Sequence, residues 1–127
     1  MSGMPSLPAL SEAELAGIVE VLRTLGHESR LRLVDTLRVE GERSVGELEH
    51  LTGIGQPGLS QQLAILRKAG LVHTRRAAKQ VYYSLAPEAL QAATRLFVGI
   101  VGEGHGGQAG GKPNPVGGSA AMFAKIL

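Results

Sequence analysis

Side chains suited to hydrogen bonding with a partner lie in the stretch from residue 55 to residue 70, GQPGLSQQLAILRKAG. If this stretch is a helix, Leu59, Leu63 and Leu66 share one side and anchor it in a core. Its start and its other side carry amide, hydroxyl or small residues: Gln56, Pro57, Gly58, Ser60, Gln61 and Gln62. Amides pair with adenine, hydroxyls bond bases or phosphates, and small residues let a helix enter a major groove. The chemistry indicated is contact with duplex nucleic acid.

Positive charge is concentrated around and just beyond this stretch. The net charge is +2, but residues 1–49 hold five basic and nine acidic residues (net −4), whereas residues 50–87 hold five basic and no acidic residues (net +5). Three of these cations, Arg75, Arg76 and Lys79, belong to a segment with strand character. We expect them to meet backbone phosphates, which attract Lys and Arg whatever the base sequence.

Each of these features has an ordinary alternative. Exposed glutamine and serine are common surface residues, and a basic hairpin can be a solvated edge that discourages strand pairing. Isolated motifs are weak evidence. Here a short capped helix, a tight turn, a helix with a polar front, a basic hairpin and an acid-free span occur in succession, and their combination favours nucleic-acid binding.

Two amphipathic helices are predicted before the polar stretch. Ser11 and Glu14 form a capping box, so the first helix should begin there and end at Gly26. Its apolar stripe consists of Leu15, Ile18, Val19, Leu22 and Leu25. The second helix, within HESRLRLVDTLRVEG, should end at Gly41. Its predicted inward face holds Leu31, Val34 and Leu37, flanked by Leu33.

A third, short helix is predicted from a second capping box formed by Ser44 and Glu47. Its inward residues should be Val45, Leu48 and Leu51. The sequence TGIG at 52–55 ends it, and Pro57 suits the first turn of the helix that follows. Two helices joined by a tight glycine-containing turn are typical of a helix-turn-helix.

The pattern becomes extended after residue 70. LVHTRR and VYYSL flank the polar turn AAKQ and predict a β-hairpin, and a fifth helix should begin at Pro87 and Glu88. The fold class expected is mainly α with a small β-hairpin, a winged helix-turn-helix ordered as four helices, two strands and a last helix.

The chain is expected to contain one folded domain. Residues 1–10 read as a flexible N-terminus, 11–101 as the DNA-binding and dimerisation domain, and 102–127 as a flexible Gly-rich tail, since eight of the seventeen residues at 102–118 are Gly. The last residues, SAAMFAKIL, regain apolar character and could dock as a single helical turn. The sequence lacks a signal peptide and a long apolar run, so a cytoplasmic protein without membrane contact is expected.

Apolar faces on the first and last helices predict a homodimer. A small monomer should not leave so much apolar surface uncovered. The residues expected at the interface are Leu15, Ile18, Leu22, Leu90, Leu96, Phe97 and Ile100.

Catalysis and metal binding are not indicated. The sequence has no cysteine, which excludes thiolate metal sites and thiol redox chemistry within this chain. It shows no nucleophile elbow, phosphate-binding loop or metal motif, so we expect neither an enzyme nor a cofactor. The four histidines are scattered, and His105 beside Glu103 is the single pairing of interest.

The segments LGHESRLRLVDTL, GERSVGELE and QPGLSQQLAILRKAGLV, with the hairpin, resemble the ArsR/SmtB family of winged helix-turn-helix repressors over residues 13–101. The phrasing is most similar to the BigR/SqrR group of that family. The resemblance implies a homodimer built from the first and last helices, with the fourth helix in the major groove of a palindromic operator.

The chain departs from the sensing patterns that the resemblance implies. Arsenic-responsive members carry cysteines where this chain has Ser44 and Gly46, and the BigR/SqrR group uses two cysteines, one at the position of Asp35 and one in the last helix. We therefore expect a transcriptional repressor without thiol or metal sensing, its small-molecule effector unknown. The alternatives are a constitutive or architectural DNA binder and a winged-helix module that binds another protein.

Overall fold

The computed structural model describes residues 9–103. These residues form five α-helices and three short strands. In chain order they are α1 (Glu12–Leu25), α2 (Glu28–Glu40), β1 (Arg43–Ser44), α3 (Val45–Thr52), α4 (Gly58–Lys68), β2 (Val72–Ala77), β3 (Gln80–Leu85) and α5 (Gln91–Val98). The chain divides into two compact units: one ends at Ala93, and the described part of the other begins at Thr94. None of the described helices has the length and apolar character to cross a membrane.

The first and third helices begin at capping boxes, as predicted. Ser11 Oγ accepts the Glu14 amide at 3.1 Å, and Glu14 Oε1 accepts the Ser11 amide at 2.9 Å. The same reciprocal pair joins Ser44 and Glu47, at 3.2 and 2.8 Å. Each box satisfies two backbone donors that a helix start leaves unpaired, which is why these helices begin where they do.

The core lies between α2, α3, α4 and the hairpin. Its buried members are Leu33, Leu37, Leu48, Leu59, Leu63, Leu66, Leu71 and Val72. Among them Leu59, Leu63 and Leu66 have no exposed surface, which confirms the predicted anchoring side of α4. The core is aliphatic because the sequence offers leucine and valine there and hardly any aromatic residues.

The inward face of α2 differs from the prediction. Leu33 and Leu37 are buried, whereas Leu31 is 52% exposed. Successive helical residues are about 100° apart, so Leu31 lies about 160° around the axis from Leu33 and cannot share its face. The packing follows the pair one turn apart, Leu33 and Leu37, and Val34 beside them is partly buried.

Leu51 was also predicted to point inward, and the structure leaves it exposed in the last turn of α3. There it lines an open recess of about 360 Å³. The buried residue of this helix is Leu48. Leu51 is the second-last residue of α3, so no further turn of this helix lies beyond it to cover its side chain.

The predicted hairpin is present, and a third strand joins it. The sheet order is β1-β3-β2, with both pairs antiparallel. Strand β1 was not predicted, because two residues are too few to show an alternating pattern. The turn between β2 and β3 is Ala78 and Lys79, and Ala78 has a φ of 56° in the left-handed region. Strand β1 attaches the hairpin to the chain just before α3.

The last helical region is less regular than the single helix expected from Pro87. A 3₁₀ turn spans Pro87–Leu90, α5 follows, and a π-helical turn spans Gly99–Glu103. Proline suits a helix start because it has no amide to satisfy, and glycine is a weak helix former. Nearly all of the predicted tail, including SAAMFAKIL, and most of residues 1–10 lie outside the described residues.

Arg30 links three elements around the start of α2. Its Nε donates to the Thr24 carbonyl at 2.6 Å, and its Nη1 donates to Gln62 Oε1 at 2.7 Å. Thr24 lies in the last turn of α1 and Gln62 lies in α4, so one half-buried guanidinium connects α1, α2 and α4. Helix α4 is thus attached to α1 and α2 by a polar contact as well as by its leucines.

Replacing Arg30 with Ala should lower the free energy of unfolding by about 1–3 kcal/mol, because a carbonyl and an amide oxygen lose a charged donor. Urea unfolding at fixed protein concentration measures this loss as a lower midpoint with an unchanged m-value. Arg32→Ala is the matched control, since Arg32 makes an exposed ion pair with Glu28 at 2.7 Å. That change should cost less than about 0.5 kcal/mol. Equal losses in the two variants would contradict the linking role of Arg30.

Candidate nucleic-acid interface

The turn between α3 and α4 is fixed by a glycine and a threonine. Gly53 follows α3 with φ 75° and ψ 5°, and its amide bonds to the Glu49 carbonyl at 2.9 Å. A residue with a side chain is strained in that conformation. Thr52 Oγ1 then accepts the Ile54 amide at 3.1 Å. These local contacts end α3 sharply and set the direction in which the chain enters α4.

The start of α4 depends on Gln56. The residue in the N-cap position is Pro57, whose side chain cannot accept a hydrogen bond. Gln56 Oε1 supplies the missing acceptor: it accepts hydrogen bonds from the Ser60 amide at 3.1 Å and from the Ser60 hydroxyl at 2.8 Å. Two residues predicted to contact DNA, Gln56 and Ser60, are therefore bonded to each other. The Gln56 amide nitrogen makes no hydrogen bond within the described residues.

The neighbouring residues Gln61 and Gln62 lie in different surroundings. Gln62 is half-buried, and its oxygen accepts from Arg30. Gln61 is exposed, and its side chain has no partner among residues 9–103. Of the two amides, Gln61 is the one left available to a ligand.

Gly58 has no evident packing reason to be glycine. A Cβ built on it would meet nothing within 4 Å, and its φ lies outside the left-handed region. The open space therefore belongs to the surface beside Pro57 and Gln61. A small residue there permits close approach by an external molecule.

The hairpin register separates its two arginines. Arg75 pairs with Tyr82, and Arg76 pairs with Val81. Because strand residues alternate between faces, Arg76 shares the face of buried Val72, and Arg75 lies on the opposite face. Arg76 and the turn residue Lys79 are exposed and have no ionic partner within the described chain.

Arg75 is engaged by Glu42, which lies between α2 and β1. Its Nε and Nη2 donate to the two carboxylate oxygens at 3.0 and 2.8 Å, and its guanidinium lies 4.9 Å from the centre of the Tyr82 ring. This hydrogen bonding holds the pKa of Glu42 below its usual value and raises that of Arg75. The sequence contained no signal for this pair, because the two residues are 33 positions apart.

Two of the three described histidines make polar contacts within the chain. His27 Nδ1 accepts the Ser29 amide at 3.2 Å, and His73 Nε2 lies 2.7 Å from Glu88 Oε2. Between residues 9 and 103 no group of three His, Cys, Asp or Glu side chains is placed to hold a metal ion. His105 lies outside the described residues, and so does its expected pairing with Glu103.

The residues predicted at the dimer interface differ in exposure. On α1, Leu15 and Leu22 are 47% and 44% exposed, whereas Ile18 is only 3% exposed and is covered by its own chain. Leu90 packs partly against the core. In the unit that begins at Thr94, Leu96 is half-buried, and the exposed apolar residues are Phe97, Val98, Ile100 and Val101.

Known proteins are similar to this chain in sequence. The family model described as bacterial regulatory protein, arsR family, matches residues 27–74. The biofilm growth-associated repressor of Xylella fastidiosa (strain Temecula1) is 54% identical over 81 residues, which cover 63% of this chain and 70% of that protein. The Agrobacterium fabrum protein of the same name is 52% identical over 82 residues, covering 65% and 68%.

Solved structures agree with these matches. The transcriptional repressor BigR from Xylella fastidiosa superposes with a TM-score of 0.57 at 48% identity, covering 71% of this chain and 90% of that one. HlyU from Vibrio cholerae gives a TM-score of 0.60 at 35% identity, covering 73% and 100%. The residues matched by these regulators include the helix-turn-helix described above, and the family consists of regulators and not of enzymes. This chain belongs to the ArsR family and is a DNA-binding transcriptional regulator with a winged helix-turn-helix fold.

Proposed function

We propose that the protein is a cytoplasmic transcriptional repressor that binds a palindromic operator as a homodimer. In this proposal α4 lies in the major groove, and the β2–β3 hairpin, the wing, lies against flanking phosphates. The observation that carries it is the exposed polar front of α4, where Gln61 has no partner within the described chain and Gly58 borders open space. Repression is inferred from the name of the Xylella fastidiosa relative.

Base readout is assigned chiefly to Gln61. A glutamine amide can donate to N7 and accept from N6 of adenine at once, and such a pair discriminates against other bases. The Gln56 and Ser60 side chains are secondary contacts, because they are already hydrogen-bonded to each other through the Gln56 oxygen. Pro57 and Gly58 contribute by leaving room for the groove wall.

Wing contacts are assigned to Arg76 and Lys79, which are exposed cations without an ionic partner in residues 9–103. They would bind phosphate oxygens and release counterions, which strengthens binding to any duplex. Gln62 and Arg75, expected from sequence to contact DNA, are held by Arg30 and Glu42, so neither is given a direct role here.

The dimer is assigned to exposed apolar residues of α1 and of the last helical region. Leu15 and Leu22 on α1, and Phe97 and Ile100 near the end of the described chain, are each more than two-fifths exposed. Two linked copies engage two half-sites together, which raises operator affinity well above that of one copy. Signalling through cysteine oxidation or persulfide formation has no residue to act on, because the sequence contains no cysteine.

Gln61→Ala should lower the ratio of operator to random-duplex affinity by about 5- to 150-fold, which corresponds to about 1–3 kcal/mol for a bidentate base contact. The operator is first defined by selecting bound sequences from random duplexes, and titrations then compare the two DNAs. Gln91→Ala, at an exposed glutamine on α5, is the control and should leave the ratio unchanged. An unaltered ratio in Gln61→Ala would refute the assignment.

Arg76→Ala and Lys79→Ala should each weaken operator and random DNA alike and reduce the slope of log affinity against log salt by about one. Arg23→Ala serves as control, because Arg23 makes an exposed ion pair with Glu20 of the same helix at 2.6 Å. Its slope should match that of the wild type. Duplex binding by the wild type that does not depend on salt would instead favour the alternative of a protein-interaction module.

Phe97→Glu should convert the dimer to a monomer and lower operator affinity, since a buried unpaired carboxylate is unfavourable and a monomer engages one half-site. Sedimentation at micromolar concentration measures the first effect, and operator titration measures the second. Val39→Glu, at a 61% exposed position of α2, is the matched control and should remain dimeric. A wild-type chain that sediments as a monomer would contradict the assignment.

A further inference from the structure

Arg75 spans the three-stranded sheet on its outer face. The strand order is β1-β3-β2. From β2, the guanidinium passes over Tyr82 of β3, 4.9 Å from its ring centre, and reaches Glu42, which directly precedes β1. The Arg75 side chain therefore connects strand β2 of the wing with the segment between α2 and β1.

The contact with Glu42 is directional as well as ionic. Two parallel hydrogen bonds, at 3.0 and 2.8 Å, hold a planar guanidinium against a planar carboxylate, and stacking on Tyr82 restricts it further. Exposed ion pairs of this kind contribute little to overall stability. Such a pair can still restrict motion, because the two hydrogen bonds fix the orientation of Arg75 and so limit how the wing moves relative to the segment before β1.

The pair is closed at neutral pH. Arg75 lowers the pKa of Glu42 in the folded chain, so the contact is present above the ordinary carboxyl pKa and is lost only as pH falls through the lowered value. The adjacent residue Arg76 points to the other face and has no ionic partner in the described chain. The two arginines thus have different availability to a polyanion.

Taking the proposed DNA-binding function as given, we propose that Glu42, Arg75 and Tyr82 form a clamp that fixes the direction of the wing. Arg75 is then a positioning residue whose charge is already satisfied, and the wing meets phosphate through Arg76 and Lys79. Glu42, an acidic residue in a DNA-binding protein, favours operator binding because it orients the cations around it.

A double-mutant cycle with Glu42→Gln, Arg75→Gln and the double variant tests the clamp. Each single change should weaken operator binding, by about 2- to 30-fold as for residues that act through others. The double variant should be no weaker than the poorer single variant, and the salt slope should change by much less than one. Arg76→Gln, the control on the opposite face, should lower the slope by about one.

If Arg75 instead contacts a DNA phosphate directly, the variants should behave differently. Glu42→Gln would then strengthen binding, and Arg75→Gln would lower the salt slope by about one and cost more affinity in the Glu42→Gln background than in the wild type. That pattern would overturn the proposal, as would binding that is unchanged in both single variants.

Wing mobility gives a readout that does not need DNA. The sequence contains no cysteine, so Lys79→Cys provides a unique site for a nitroxide label at the wing tip. Its electron paramagnetic resonance spectrum should show faster motion in the Glu42→Gln and Arg75→Gln backgrounds and no change in Arg76→Gln. Identical spectra in all four proteins would overturn the clamp. If the wild type bound no duplex, the proposed function would fail while these spectra still tested the clamp.

Discussion

Burial of three leucines on one side of α4 determines what that helix presents to its surroundings. Leu59, Leu63 and Leu66 have no exposed surface, so the helix cannot rotate about its axis without exposing apolar area at roughly 25 cal/mol per Å². Gln61 lies about 160° around the helix axis from both Leu59 and Leu63 and must face outward. Gln62 is one step further around the helix, which turns it back toward Arg30. The polar front of α4 is thus a consequence of the packing beneath it.

The same constraint explains why several polar residues near α4 serve the fold. Helix α4 has Pro57 at its N-cap and therefore no side-chain cap there, and Gln56 supplies the acceptor that the Ser60 amide needs. Arg30 then uses Gln62 and the end of α1 to complete its hydrogen bonds. Residue type alone suggested that all these amides and hydroxyls contact DNA. The contacts within the chain leave Gln61 and the space beside Gly58 as the clearest places for an external ligand.

Charge on the wing is divided by the pleat of the sheet. Alternation places Arg75 and Arg76 on opposite faces, although they are adjacent in sequence. Glu42 forms an ion pair with Arg75, whereas Arg76 has no ionic partner in the described chain. Residues 50–87 contain no acidic residue, but Arg75 in this segment is paired with Glu42 from an earlier part of the chain. The net charge of the segment therefore overstates the positive charge available to DNA.

Local features of this protein were predictable from sequence. The capping boxes at Ser11 and Ser44, the glycine that ends α3 and the leucine side of α4 each depend on residues no more than a few positions apart, so helix period and cap chemistry suffice to predict them. The family resemblance added the winged helix-turn-helix architecture. The alternating hairpin segments were likewise visible, and only the two-residue strand β1 was too short to recognise.

The errors and omissions concern contacts that only the folded chain creates. Leu31 was assigned to the core, yet the leucines of α3 and α4 pack against Leu33 and Leu37 instead. The Arg30–Gln62 and Arg75–Glu42 contacts join residues 32 and 33 positions apart. Sequence determined which residues were able to bind DNA, because side-chain chemistry is a local property. Tertiary structure decided which of them are already engaged, because an amide or a guanidinium bonds whatever partner the fold brings within about 3 Å.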